Sequence, residues 1–185
     1  MERQVHGFYY EQQIINKYNL TKSTGYTDKY DCYCSDGTPV QVKCIKHNSS
    51  IDLGDYFRNK TKTEDFILII GFWKKERHNI VEEHILYVNK DVWNNLFQFE
   101  YDYELKQMLR LITNERSDDV KWKQQCKQIK GFWNTIPRFV QLRFKRDHKK
   151  QKRIQCAINK KNFYGFFIEE FKWEKKNILT NFTPN

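Results

Sequence analysis

The feature of this sequence that most restricts its fold is the apolar run FILIIGFW at residues 66–73. The run shows no alternation of apolar and polar side chains, so it lacks the pattern of a strand with one face in water. Its length is typical of a strand and is far too short for a membrane-spanning helix. It therefore predicts a central strand covered on both faces, against which other elements must pack from two sides.

Weaker patterns on both sides of this run supply those elements. Residues 7–18 have apolar positions in helical spacing, and Glu11 lies at the centre of the apolar side. The other elements predicted in the first 100 residues are strands at 30–34 and 39–46 around a turn, a short helix or irregular crossing segment at 49–63, a strand at 82–89 and a short helix at 90–97. This order predicts an α/β fold with a central mixed β-sheet flanked by helices.

The second half of the chain combines a helix with alternating strands. Residues 103–116 have apolar positions in helical spacing. Two strands follow, in which the apolar face is Val140, Leu142, Phe144, Ile154, Cys156 and Ile158, and the polar face is Gln141, Arg143, Lys145, Arg153 and Gln155. We expect the polar segment KRDHKKQK to join these strands into a hairpin. A last strand is predicted at 163–171, before a tail that frays.

Positive charge is concentrated in this hairpin. The chain has a formal net charge of +10, and residues 138–161 contain ten Lys or Arg residues against one Asp. A local basic surface is typical of proteins that bind the phosphate backbone of a nucleic acid, although a solvated lysine-rich face is the alternative. With double-stranded DNA as the partner, the candidate contacts are Gln141, Arg143, Lys145, Arg146, Lys149, Lys150, Lys152, Arg153 and Gln155.

The strand PVQVKCIK carries two polar side chains, Gln41 and Lys43, that could serve phosphodiester hydrolysis. Asp31 on the preceding strand and Glu11 on the first helix are hard carboxylate ligands for a divalent metal. The Gln41 side-chain oxygen and the Val42 backbone carbonyl are weaker, neutral ligands. Lys43 is suited to assist the attacking water and to offset charge on the phosphate. Together these residues predict a metal-dependent nuclease site.

The geometry of the hairpin decides whether Asp31 belongs to this site. A two-residue turn would pair Cys32 with Gln41 and direct Asp31 to the opposite face of the sheet. The site therefore requires a three-residue or five-residue loop, or a bulge, between the two strands. If Asp31 faces away, Asp28 is the fallback ligand.

The same residues resemble the motifs of the PD-(D/E)XK nuclease superfamily, which includes the type II restriction endonucleases. The matching residues are Glu11 in GFYYE, Asp31 in DKYD, and Gln41, Val42 and Lys43 in VQVK. The resemblance covers residues 7–90, because the buried strand after the motif strand also fits the core of the family. It departs from the family at Gln41, where Glu or Asp is usual, and this gives Glu11 the task of completing the metal shell.

The resemblance implies a fold, an activity and partners. Residues 1–100 would form a restriction-endonuclease-like catalytic core, and residues 101–185 would form a C-terminal extension with the basic hairpin, for DNA binding and specificity. The expected activity is sequence-specific cleavage of double-stranded DNA. The cofactor would be Mg²⁺, or Mn²⁺ as a substitute, held by Asp31, Val42, Glu11 and Gln41. A homodimer is expected, because one domain carries one site and two strands must be cut.

Four alternatives stay open at this point. The chain could be a structure-specific nuclease of the same superfamily that acts on junctions or in repair, or a catalytically inactive protein that binds nucleic acid. Cys32, Cys34, Cys44 and His47 could bind zinc, although core cysteines are the commoner outcome in a hairpin. Glu11 also has an ordinary structural explanation, an ion pair for which Lys43 is the candidate partner.

Cysteine usage and hydropathy indicate the cellular setting. The chain has five cysteines, an odd number, and it contains neither an apolar leader nor an apolar run near the roughly 18 residues of a membrane span. We therefore expect a soluble, intracellular (cytoplasmic) protein with no membrane partner. The sequence has no Gly-rich phosphate loop, so no nucleotide cofactor is expected.

Overall fold

The computed structural model describes residues 2–25, 28–74, 79–97, 102–114, 140–146 and 152–171, together with residues 120, 124, 127, 128 and 131. The protein is an α/β fold with a mixed central sheet flanked by helices. No described helix has both the length and the apolar character needed to cross a membrane. In chain order the elements are α1 (Glu2–Tyr18), β1 (Thr21–Lys22), β2 (Cys32–Tyr33), β3 (Pro39–Lys46), β4 (Ile51–Asp55), α2 (Tyr56–Asn59), β5 (Phe66–Lys74), β6 (Asn79–Val88), α3 (Lys90–Asn95), α4 (Asp102–Asn114), β7 (Val140–Arg146), β8 (Lys152–Ile158) and α5 (Lys160–Phe171).

The central sheet has five strands in the order β1-β2-β3-β5-β6. Its neighbouring strands are antiparallel, except that β3 and β5 run parallel. A parallel pair needs a crossover connection, which here consists of β4 and α2. Strand β4 belongs to a second sheet, of order β4-β8-β7, in which all neighbours are antiparallel.

Two apolar clusters cover the two faces of the central sheet. On one face, Tyr10, Ile14 and Ile15 of α1 pack against residues of β3 and β5. On the other face a larger cluster joins the central sheet to the second sheet and to the helices α3, α4 and α5. Every residue of β5 except the last is buried. This confirms the prediction of a central strand covered on both faces.

Most elements predicted from periodicity are confirmed. The predicted strand at 39–46 has the same limits as β3, and the predicted helices near residues 7–18, 90–97 and 103–116 correspond to α1, α3 and α4. Strands β7 and β8 pair antiparallel, as expected for the basic hairpin. Their alternate residues are buried as predicted, because Leu142 and Ile154 are in the core while Arg143 is exposed.

The predicted final strand at 163–171 is wrong, because this segment belongs to helix α5. Its aromatic residues favour a strand by propensity, but local hydrogen bonds begin a helix. The Asn159 side-chain oxygen accepts from the Lys161 N–H at 2.9 Å, and the Asn159 carbonyl accepts from the Phe163 N–H at 2.9 Å. Phe163 and Phe166, three residues apart, are then buried on one side of the helix. The predicted frayed tail lies outside the described residues.

Two predictions in the first half need correction. The strand predicted at 30–34 is reduced to the two residues of β2. The segment 49–63 contains β4 in addition to a short helix, and the sequence prediction missed this strand. Strand β4 is irregular, since its pairing with β8 shifts register between Asp52 and Gly54, and Gly54 has a φ of 85°. A bulged five-residue strand has no clean alternation, which explains why periodicity does not reveal it.

The close approach of α1 to the sheet depends on Gly71 of β5. A Cβ atom on Gly71 would overlap the Tyr10 ring. We therefore expect Gly71→Ala to lower the free energy of unfolding by about 1–3 kcal/mol, the usual cost of overpacking a core. Gly7→Ala in α1 is the matched control, because a Cβ there meets nothing within 4 Å, and it should be neutral or slightly stabilising. Urea unfolding followed by circular dichroism measures both, and wild-type stability of Gly71→Ala would contradict the tight packing.

Candidate active site

A three-residue loop joins the two strands of the β2–β3 hairpin. The Cys34 N–H donates to the Thr38 carbonyl at 2.9 Å across the loop SDG. Gly37 has a φ of 85°, the left-handed conformation that is usual in such a loop, and Asp36 Oδ1 accepts from the Thr38 N–H at 2.9 Å. The hairpin therefore has the three-residue loop that the sequence analysis required for Asp31 to share a face with Gln41.

The Asp31 and Gln41 side chains meet beside the hairpin. Strand β2 begins at Cys32, which pairs with Val40, and Asp31 directly precedes it. The Asp31 N–H donates to the Val40 carbonyl at 3.1 Å, and Gln41 Nε2 donates to the Asp31 carboxylate. Asp31 therefore lies on the same side of the hairpin as Gln41.

The Asp31 carboxylate lies against the edge of β3. Its Oδ2 atom accepts hydrogen bonds from Gln41 Nε2 and, at 2.8 Å, from the Val42 N–H. The N–H and C=O groups of a strand residue leave the strand on the same side, so the Val42 carbonyl is directed to this same edge. Strand β2 covers only the first two residues of the β3 edge, Pro39 and Val40. The edge at Val42 therefore has no described strand neighbour. The Asp31 carboxylate and the Val42 carbonyl therefore lie side by side at this edge of β3.

Gln41 and Lys43 point to the face of the central sheet that packs against the second sheet. Their partners on β5 are Leu68 and Ile70, which belong to the larger core cluster. Gln41 is 7% exposed, and Lys43 is half-buried. The two valines of the strand have the opposite orientation and pack against α1. The strand therefore has the apolar face and the polar face that its sequence predicts.

Glu11 contributes a second carboxylate from α1. Its Oε1 atom forms an ion pair with Lys22 Nζ at 3.1 Å, and its side chain is 19% exposed. The pKa of the Cys32 thiol is raised to about 12, first by burial and then by the negative charges of Asp31 and Glu11. Both carboxylates therefore lie close enough to the start of β2 to act on one thiol. The ion pair expected as the structural explanation for Glu11 is present, but its described partner is Lys22 rather than Lys43.

One polar pocket of about 440 Å³ collects the predicted catalytic side chains. It lies where the edge of the central sheet meets α1 and the second sheet. Its lining includes Glu11, Asp31, Gln41, Lys43, Asp55 at the end of β4, and Arg153 of β8. The structure therefore brings together residues from five separate segments of the chain, one of which belongs to the predicted DNA-binding hairpin.

Asp28, the fallback ligand, lines the same pocket but has a structural task. Its carboxylate accepts from the Gly25 N–H at 2.8 Å, and its own N–H donates to the Gly25 carbonyl at 3.1 Å. Its carbonyl accepts from the Arg58 guanidinium. Asp28 thus closes the loop that leads into Asp31, and Asp31 is the better placed ligand.

The predicted metal ligands include few charged groups. No group of three His, Cys, Asp or Glu side chains suited to a metal occurs in the described part of the chain. The predicted ligands include only two carboxylates, and the others are an amide oxygen and a backbone carbonyl. All are oxygen atoms, and Mg²⁺ commonly uses one or two carboxylates and completes its shell with water and phosphate. The set fits Mg²⁺ if Gln41 turns its oxygen, rather than its nitrogen, toward the ion.

The zinc alternative is not supported by the geometry. Within the described part of the chain, Cys32, Cys34, Cys44 and His47 form no group that could hold a metal. Burial raises the pKa of the Cys44 thiol to about 11, so it stays protonated at neutral pH, as Cys32 does. Zinc binds the thiolate form, so burial of this kind disfavours it. Cys32 is part of the apolar cluster under α1, and Cys44 packs against that cluster.

The predicted DNA-contacting residues form one surface where they are described. Gln141 and Arg143 are exposed on β7, whereas Arg153 and Gln155 are half-buried on β8. Arg143 lies directly opposite Gln155. Of the remaining candidates, Lys145, Arg146 and Lys152 are placed by backbone pairing only, and Lys149 and Lys150 lie outside the described residues.

Lys62 is a buried lysine that contacts residues of the pocket lining, and the sequence prediction missed it. It is 2% exposed, and its Nζ donates to the Lys29 carbonyl at 2.9 Å and lies 4.3 Å above the centre of the Tyr30 ring. The pKa of Lys62 is lowered to about 7, first by burial and then by the positive charge of Lys43, while Asp31 acts in the opposite direction. Lys62 therefore holds in place the two residues that directly precede Asp31, Lys29 and Tyr30. Nothing in NKTKTED distinguishes it from an exposed lysine.

Comparison with known proteins adds no family. The chain matches no protein-family model, and no curated protein is significantly similar to it in sequence.

Lys62→Met tests how much the buried ammonium group of Lys62 lowers the free energy of unfolding. The pKa of Lys62 is lowered from 10.5 to about 7 in the folded protein, so between these values the unfolded chain binds more protons. Stability must then rise with pH, and we expect a rise of about 2 kcal/mol between pH 7 and pH 9 that the Lys62→Met variant lacks. Urea unfolding at both pH values measures it, with the exposed Lys46→Met as the control that keeps the rise. Equal pH profiles for wild type and Lys62→Met would contradict this burial.

Proposed function

We propose that this chain is a metal-dependent endonuclease that cleaves double-stranded DNA, similar to type II restriction enzymes of the PD-(D/E)XK superfamily. One observation carries the proposal. The Asp31 carboxylate is held beside Val42 at the edge of β3, in a pocket that also contains Lys43 and Glu11. Two carboxylates, a backbone carbonyl and a lysine in one polar pocket are the groups that metal-assisted hydrolysis of a phosphodiester requires.

The order of elements also supports the proposal. A helix with an acidic residue precedes a hairpin with the remaining motif residues, and a buried strand then pairs parallel with the motif strand. In the proposed enzyme, residues 1–100 are the restriction-endonuclease-like catalytic core and residues 101–185 the DNA-binding and specificity region. Two copies of the chain would act together, since each has one such pocket and a duplex has two strands.

The residues of the pocket have separate tasks in this proposal. Asp31, Glu11, the Val42 carbonyl and the Gln41 amide oxygen would hold Mg²⁺ or Mn²⁺. The ion supplies positive charge that polarises the phosphate and lowers the pKa of water. Lys43 orients the attacking water and offsets the negative charge that develops on the phosphate. The Val42 N–H and Lys62 keep Asp31 in place, the first by a hydrogen bond and the second through the Lys29 carbonyl.

The exposed face of the β7–β8 hairpin supplies the DNA contacts. Arg143 and Gln141 are free to meet phosphates or base edges, because both side chains are exposed and both types can form paired hydrogen bonds with bases. The same hairpin borders the pocket through Arg153. DNA bound along this face would therefore pass close to Lys43.

A second candidate, a catalytically inactive DNA-binding protein, is favoured by one hydrogen bond. Gln41 donates its amide to Asp31, so the carboxylate has two protein donors and is satisfied without a metal. In that case salt-sensitive DNA binding would survive Asp31→Ala, and the parent protein would cut nothing. A structure-specific nuclease would instead prefer branched DNA to plasmid.

Lys43→Ala tests the proposed activity. With Mg²⁺ or Mn²⁺ the wild-type protein should cut plasmid DNA at discrete sites, and Lys43→Ala should cut at least about 100-fold more slowly, since it removes the group that offsets charge on the phosphate. Lys46→Ala is the matched control, an exposed lysine at the end of the same strand. Gel analysis over a range of salt concentrations measures the rates. An intact plasmid with the wild-type protein, or full activity of Lys43→Ala, would reject the proposal.

Gln41→Glu tests the metal site independently of cleavage. The change replaces a hydrogen-bond donor to Asp31 with a second negative charge, so the variant should melt at a lower temperature than wild type without metal. Mn²⁺ should then raise the melting temperature more in Gln41→Glu than in wild type, because the added carboxylate strengthens binding to the folded state. Gln141→Glu, an exposed position on β7, is the control. If Mn²⁺ shifts all three proteins equally, the metal does not bind at Gln41.

A further inference from the structure

Strand β8 extends past the end of its neighbour β4. The last pair between them is Asp55 with Gln155, because the chain turns into α2 at Tyr56. The Asp55 side chain makes this turn abrupt by accepting from the Arg58 N–H at 2.9 Å. Arg153, two residues before Gln155 on β8, therefore has no β4 residue beside it, and this gap faces the pocket.

Arg153 is placed differently from the other basic residues of the hairpin. It is half-buried and lines the pocket with Asp31 and Lys43. Its Nε atom is buried and has no hydrogen-bond partner among the described residues. A buried donor without an acceptor is costly, so an acceptor supplied by a ligand would remove that cost. Arg143, on the same face of the next strand, is exposed and is not part of the pocket lining.

The charges in the pocket indicate what kind of ligand would supply an acceptor to Arg153. Lys43 and Arg153 come from opposite walls, the central sheet and the second sheet. Lys43 lies close enough to the second sheet for its charge to act on the Cys156 thiol of β8, where it lowers a pKa that burial raises. Two cations that line one polar pocket favour an anion bound beside them. The guanidinium fork matches the paired oxygens of a phosphate.

We propose that Arg153 contacts the phosphate that is cleaved, so that the basic hairpin supplies a catalytic residue as well as DNA affinity. This inference rests on the proposed nuclease function. In the reaction a water oxygen forms a bond to phosphorus, the bond from phosphorus to one sugar oxygen breaks, and that oxygen leaves with a proton. Arg153 keeps its own protons throughout. It donates hydrogen bonds to the non-bridging oxygens, whose negative charge grows in the transition state.

Arg153→Gln and Arg143→Gln separate catalysis from binding. With enzyme in saturating excess over plasmid, Arg153→Gln should lower the rate of a single turnover by at least about 100-fold, while the dissociation constant for DNA changes by less than about threefold. Arg143→Gln should act mainly on the dissociation constant and reduce its salt dependence by about one charge. Arg153→Lys keeps the charge without the fork and should fall between wild type and Arg153→Gln. Similar rates at saturation for both glutamine variants would overturn the proposal.

Binding of thymidine 3′,5′-bisphosphate gives a measurement that does not need cleavage. By isothermal titration calorimetry, Arg153→Gln should bind this nucleotide at least about fivefold more weakly than wild type, and Arg143→Gln should bind it like wild type. This result stands even if the wild-type protein cuts no DNA, a case in which the proposed nuclease fails but the phosphate contact does not. Equal affinity of Arg153→Gln and wild type would reject the contact whether or not the protein is a nuclease. Melting temperatures within a few degrees of wild type confirm that the variants fold.

Discussion

The candidate site depends on the register of one hairpin. Because side chains alternate between the two faces of a sheet, a shift of one residue between β2 and β3 would turn Asp31 away from Gln41. The three-residue loop with Gly37 in the left-handed conformation sets this register. The hydrogen bond from the Val42 N–H to the Asp31 carboxylate then holds the acid at the edge of the strand. Glu11 and Lys43 form one candidate site with Asp31 only because that carboxylate is in place, and Lys62 supports the segment that precedes it.

Strand β4 gives the pocket its second wall. It follows β3 directly but pairs with β8, so the crossover between the two parallel strands also holds the second sheet over the face that carries Lys43. The Cys156 thiol donates to the Gly54 carbonyl at 3.4 Å, which adds a partly buried contact between segments 102 residues apart in sequence. An early end to β4 is what opens the pocket to Arg153. The packing of the core and the shape of the site therefore have the same cause.

Periodicity predicts the elements whose side chains alternate or cluster regularly, and it does so for β3, β7 and β8. It fails for α5, where aromatic residues favour a strand but the Asn159 hydrogen bonds begin a helix. It also fails for β4, whose bulge at Gly54 interrupts the alternation. The catalytic candidates could be chosen from the sequence because they are close together along the chain. The positions of Lys62 and Arg153 could not, because they depend on contacts between distant segments.

The presence of Gln41 instead of an acid changes how such a pocket would work. Gln41 donates a hydrogen bond to Asp31 and adds no charge. The predicted ligand set therefore contains two carboxylates, Asp31 and Glu11, instead of three. Without a metal, the site then avoids close repulsion between an acid at position 41 and Asp31. The same exchange removes one negative ligand and weakens the attraction for Mg²⁺. In the proposed enzyme a phosphate held by Lys43 and Arg153 would supply the missing negative oxygen. Metal binding and DNA binding would then strengthen each other, because each completes the coordination or the charge balance that the other requires.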